Sequence, residues 1–134
     1  MANYYASSRS NYFNVKDADA FKAAMANFGD VEVITDKDGR YGVLSQHSDN
    51  GTWPSYFFDD ITDEETEVDF FSFVADHLAD DEVAIFMEAG AEKLRYICGY
   101  AVAVNNKGET RMIALSNIYD LAKELGSNVT MAEY

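Results

Sequence analysis

Two four-residue segments, Asp36-Lys37-Asp38-Gly39 and Asn105-Asn106-Lys107-Gly108, restrict this chain to a small set of folds. The first lies between VEVIT and RYGVLSQ, the second between KLRYICGYAVAV and ETRMIALS, all runs rich in β-branched and aromatic residues. Each segment ends in a glycine that can take positive φ. Each therefore predicts a tight reversal joining two antiparallel strands. EVAIFME adds a strand before the second pair, SYFF a short one before residue 59, and the stretch from Tyr4 to Val15 another at the start.

Between these runs the apolar period changes to that of a helix. Asp17 can cap a helix with Phe21, Ala24, Met25 and Phe28 on one side, and Gly29 closes it. Phe70, Phe71, Val74 and Leu78 recur at helical spacing in DFFSFVADHLA, with Asp69 or the acids just before it at the positive end of the helix dipole. Ser116 can cap a last helix, NIYDLAKEL, with Ile118, Leu121, Ala122 and Leu125 facing inward and Gly126 ending it. The order β-α-β-β-(β)-α-β-β-β-α predicts an α+β fold, a mainly antiparallel sheet of five to six strands with three helices packed on it. A chain of 134 residues, 48% hydrophobic, with one proline and no repeat, forms one domain over 1–134, with 127–134 as a loose tail.

Charge is the second constraint. The net charge of −14 exceeds what solubility requires and costs compactness through self-repulsion. Residues 41–92 contain no Lys or Arg and fourteen acids; the flanking segments together sum to zero. The densest part is DDITDEETEVDF, with seven carboxylates in eleven residues: Asp59, Asp60, Asp63, Glu64, Glu65, Glu67 and Asp69. Asp80, Asp81 and Glu82 form a second cluster. Stretched out, eleven residues span about 36 Å, a charge about every 5 Å, comparable with the ~3.4 Å phosphate spacing of one DNA strand. The flanking Tyr56-Phe57-Phe58 and Phe70-Phe71 pin this row to the core, and Trp53 and Tyr56 serve either as anchors at the edge of a contact or as core.

The inventory for chemistry is thin. His47 and His77 sit in a loop and on an aromatic-rich helix, where structural or solvated roles fit better than catalysis, and no serine lies in a nucleophile motif. Cys98, in YICGYAVAV, reads as a small core residue and has no disulfide partner within the chain, which fits a reducing compartment. His77 and Asp81 are four apart and would share a helix face, but no calcium-loop or zinc pattern is present. Nonspecific calcium affinity is the only metal binding expected, and no cofactor is implied. With no phosphate-cradling loop and no basic patch, direct nucleic-acid binding is not expected; with no signal peptide or ~20-residue apolar run, neither is a membrane.

SSRSNYFNVKDADAF near the start and EKLRYICGYAVAVNNKGETRMIALSNIYDLAKELG near the end resemble small acidic proteins encoded on phages and other bacterial mobile elements. The resemblance implies a bacterial or phage-infected cytoplasm, where acidic proteins that block host-defence nucleases by mimicking DNA are one known occupation. It carries over no activity and no site residues. The expectation is a non-enzymatic binding protein that docks on a basic, nucleic-acid-handling protein, as an anti-defence DNA mimic would. The alternative is a general interaction or immunity-type module that binds one cognate protein, its acidity serving solubility.

Overall fold

The structure, a computed structural model, describes residues 5–28, 30–45, 52–54, 56–59, 64–67, 69–92 and 96–132, with 56–59, 64–67 and 96 described by backbone alone. The strands are β1 (Tyr5–Ser10), β2 (Val31–Thr35), β3 (Tyr41–Ser45), β4 (Tyr56–Asp59), β5 (Glu64–Glu67), β6 (Val83–Glu92), β7 (Tyr96–Asn105) and β8 (Thr110–Ala114). The helices are α1 (Ala18–Met25), α2 (Phe70–Ala75) and α3 (Ile118–Ala122), the last entered through a 3-10 turn, Leu115–Asn117. Six strands form one sheet in the order β2-β3-β1-β6-β7-β8, antiparallel throughout, while β4 and β5 form a separate pair. This is the expected α+β architecture.

Both predicted reversals use one device. Asp36 Oδ1 accepts from the backbone N–H of Asp38 (3.0 Å) and Arg40 (2.9 Å), and Gly39 turns the chain at φ +80°. Asn105 Oδ1 does the same for Lys107 N (3.1 Å) and Glu109 N (2.9 Å), with Gly108 at φ +82°. In each turn the side chain satisfies main-chain donors that the strands cannot, and glycine takes the left-handed residue without steric cost. Partial desolvation pushes the Asp36 carboxyl up, but bonds from Arg40 and Asp38 outweigh it and hold the group below its usual value.

Helices α1 and α2 cover one face of the sheet. Asp17 accepts from Ala20 N (3.1 Å), and the helix it caps buries Phe21, Met25 and, just beyond its end, Phe28. The Asp69 carboxylate caps α2 by accepting from Phe71 N (3.1 Å) and the Ser72 hydroxyl (3.0 Å). Phe70 and Val74 then pack against Phe86, Val102 and Val104 of the sheet. α2 ends at Ala75, earlier than its apolar period predicts; Leu78 is still fully buried, bridged to Val15 in an extended segment. His77 and Asp81 therefore share no helix face. Gly29 lies outside the described residues.

The third helix departs from expectation. Ile118 and Leu121 are 58% and 57% exposed and Leu125 is 93% exposed, so the apolar side of α3 does not face inward. Its entry is held by Asn117, whose Oδ1 accepts from Ala114 N at 2.7 Å, and not by Ser116. The reason is the path of the chain and not a filled core face, since Met112, opposite Val102 on that face, is 64% exposed. After β8 the chain turns over the opposite face, where Leu115 rests on Gly99 so closely that a Cβ there would lie 3.1 Å from Leu115 Cδ1. Cys98 is also exposed, correcting its reading as a core residue; it lies toward the end of β7 away from the buried Val102 and Val104. The C-terminal segment folds back at Ala132, whose N–H donates to the Tyr119 hydroxyl (2.9 Å).

Candidate interaction surface

The acidic stretch is a hairpin and not an extended row. β4 and β5 pair antiparallel with Tyr56 opposite Glu67, Phe58 opposite Glu65 and Asp59 opposite Glu64. Asp60 and Asp63 fall between the strands, outside the described residues. The linear match to a DNA strand is thereby corrected: each four-residue strand spans about 13 Å, and the strand acids are Asp59 at the end of β4 and Glu64, Glu65 and Glu67 on β5, not one ~36 Å line. Asp59 and Glu64 occupy paired positions, an arrangement of like charges that costs stability. Folding this segment concentrates its charge.

Both ends of the excursion are rooted in the core. Trp53 is 6% exposed, stacks on Phe70 (ring centroids 5.5 Å apart, planes at 17°) and meets Phe86 edge-on at 5.4 Å. The chain leaves the core at Trp53 and returns at Phe70, so one aromatic stack closes the base of the acidic hairpin. Trp53 is accordingly a core residue and not an anchor at a contact edge, because its ring is enclosed by three phenylalanines. Its indole Nε1–H finds no acceptor among the described residues, so ring packing and a main-chain bond hold it. That bond runs from Trp53 N to Glu88 Oε1 at 3.1 Å. The Tyr56 side chain lies outside the described residues.

Glu88 was not singled out from the sequence. It is 8% exposed in the middle of β6 and also accepts from the Tyr100 hydroxyl at 3.3 Å. The available signal was the period-two pattern of β6, which puts Glu88 in line with the buried Ala84 and Phe86. A carboxyl on the core side of a strand needs donors, and the chain supplies them.

The second acidic cluster is partly occupied by internal bonds. Asp80 Oδ1 accepts from Asn106 Nδ2 at 2.8 Å, tying the start of β6 to the β7–β8 turn. Glu82 Oε1 accepts from Asn14 N at 2.7 Å. Asp81 is exposed and holds φ +66°, the left-handed region that glycine favours. These residues and Lys107 border a polar cleft of about 320 Å³.

Among the described residues no three His, Cys, Asp or Glu side chains come together as a metal site. His77 packs between Phe21 (5.9 Å) and Phe73 (5.8 Å); His47 lies outside the described residues. Arg40 pairs with Asp36 at 2.7 Å and Lys123 stands 3.9 Å from Asp120, both in the segments flanking the acidic block. No helix among the described residues is long and apolar enough to cross a membrane. Comparison with known proteins finds no matching family model, curated protein or solved structure.

Proposed function

We propose that the chain is a non-enzymatic binding protein whose acidic hairpin docks on a basic, nucleic-acid-handling protein and occludes its phosphate-binding groove, as a DNA-mimicking inhibitor does. One observation carries this reading: a hairpin with six acids from Asp59 to Glu67 and no Lys or Arg, whose base is closed by the buried Trp53–Phe70 stack. Buried at its root and charged along β5 and at the end of β4, it offers a negative field to a basic groove and repels nucleic acid itself.

The test is affinity capture from the host at low salt with the whole chain as bait, followed by association kinetics with the recovered protein. The wild type is expected to retain basic nucleic-acid-binding proteins and to release them as salt rises. The triple variant Asp63→Lys, Glu64→Lys, Glu65→Lys is expected to associate at least about tenfold more slowly, since charge steering acts on the on-rate. A partner held equally by wild type and triple variant, at low and high salt alike, would instead identify a cognate-protein module and reject the acidic docking surface.

A further inference from the structure

The part of the chain from β6 onward bears two apolar surfaces exposed to solvent. The first is a shallow trough of about 300 Å³ with a floor of Ala89, Gly99 and Ala101 and walls of Met87, Ile113 and Leu115. It lies on the sheet face opposite α1 and α2, because Met87, Ala101 and Ile113 align across three strands while their neighbours Phe86 and Val102 point into the core. Its walls are 57%, 69% and 54% exposed. The second is the ridge of Ile118 and Leu121, three apart on one side of α3, with the exposed Leu125 in the turn just beyond its end. A helix of five residues, as α3 is, does not hold itself in water without packing.

We infer that a second copy of this chain covers both, each ridge entering the other chain's trough about a two-fold axis. A convex and a concave apolar surface on one chain are satisfied together by reciprocal exchange, and that exchange closes at two subunits. Six wall and ridge side chains at roughly 100 Å² each present on the order of 600 Å² per chain, the upper end of what a monomer exposes and most of the ~800 Å² each partner gives a standard interface. Charge permits the contact. Residues 93–134, which supply the ridge and the β7 and β8 sides of the trough, carry five Lys or Arg and four Asp or Glu, so the acidic block enters the contact only through the β6 side of the trough. Arg111, on the trough face opposite Ala103, adds a cation near the rim, and the ridge segment carries Asp120 and Glu124.

The open edge of β8 is a poorer contact, because side chains occupy a main-chain group at each of its ends. Asn117 Oδ1 takes Ala114 N at 2.7 Å and Arg111 Nη1 donates to Thr110 O at 2.8 Å, which blunts pairing with another strand. Sedimentation of the whole chain across roughly 1–100 μM, where interfaces of this size dissociate, is expected to show a dimer that falls apart on dilution and persists in high salt. Ile113→Glu and Leu121→Asp, both at exposed positions, are each expected to raise the dissociation constant about a hundredfold with unchanged circular dichroism; Leu125→Asp serves if either unfolds. A monomer at the highest concentration overturns the inference, as do open-ended larger assemblies or a dimer indifferent to these substitutions.

Discussion

Residues 59–67 and residues 80–88 belong to the same block without Lys or Arg, yet their acids have different environments. In the second region Asp80 holds Asn106, Glu82 holds Asn14 N, and Glu88 holds Trp53 N and the Tyr100 hydroxyl. In the first, Asp59, Glu64, Glu65 and Glu67 belong to a two-stranded sheet of their own, with Asp59 paired against Glu64. The difference shows that counting carboxylates overstates the charge on offer. Some of the block's acidity is hydrogen-bonded framework, and the hairpin is the part whose composition works against its own pairing.

The comparison breaks first at the root that the two regions share. Trp53→Ala removes the stack on Phe70 and the edge contact to Phe86 and is expected to cost about 3–5 kcal/mol, read as a large fall in the urea midpoint. A loss under about 1 kcal/mol would mean that the hairpin is not anchored there. Glu88→Ala comes next, at about 2 kcal/mol, because it takes the carboxylate acceptor from the buried Trp53 N–H and removes its bond to the Tyr100 hydroxyl. Glu88→Gln, which keeps a side-chain oxygen, is expected to recover most of that. Glu65→Ala on the hairpin, by contrast, is expected to stay within about 0.5 kcal/mol of wild type in the same titration.

Much of the framework was legible because local chemistry and global fold agree. The Asp36 and Asn105 turns announce themselves by a side chain that caps the reversal and a glycine that closes it. The cap at Asp17 likewise appears where the sequence places it, and at the start of α2 the acid favoured by the helix dipole proves to be the cap, Asp69. What escaped depends on partners distant in sequence. Glu64–Glu67 is a poor strand by propensity, and its pairing with Tyr56–Asp59 becomes visible only in the register. The amphipathic period of Ile118, Leu121 and Leu125 marks an apolar side but cannot say that the chain turns over the opposite face of the sheet after β8. Trp53, in a loop beside glycine and proline, reads equally as display or core until the phenylalanines around it are in place.

Smaller effects sharpen the contrast. Asp69 stands at the boundary between the regions, counted among the acidic stretch yet serving as the cap of α2. Asp69→Ala is expected to cost about 1 kcal/mol, and Asp69→Ser to retain most of that while removing the charge. If Asp69→Ser keeps both stability and partner binding, Asp69 belongs with the framework acids. If it keeps stability and slows association as much as a hairpin substitution does, the docking surface extends to the helix start.

Asp81 gives the smallest effect and the finest discrimination. Its φ of +66° is strained for a residue with a Cβ, so Asp81→Gly is expected to relieve that strain and raise stability by up to about 1 kcal/mol, offset in part by the greater freedom glycine gives the unfolded chain. Asp81→Asn removes the charge while keeping a side chain that tolerates this conformation, and is expected to leave stability nearly unchanged. Neither substitution should alter association with a basic partner if recognition resides in the hairpin. Slower association in both variants, with stability raised only in the glycine one, would show that an acid was placed at a strained position for its charge. The 80–82 turn would then act with residues 59–67 in binding, and the division between framework and displayed acids would move to Asp80 and Glu82.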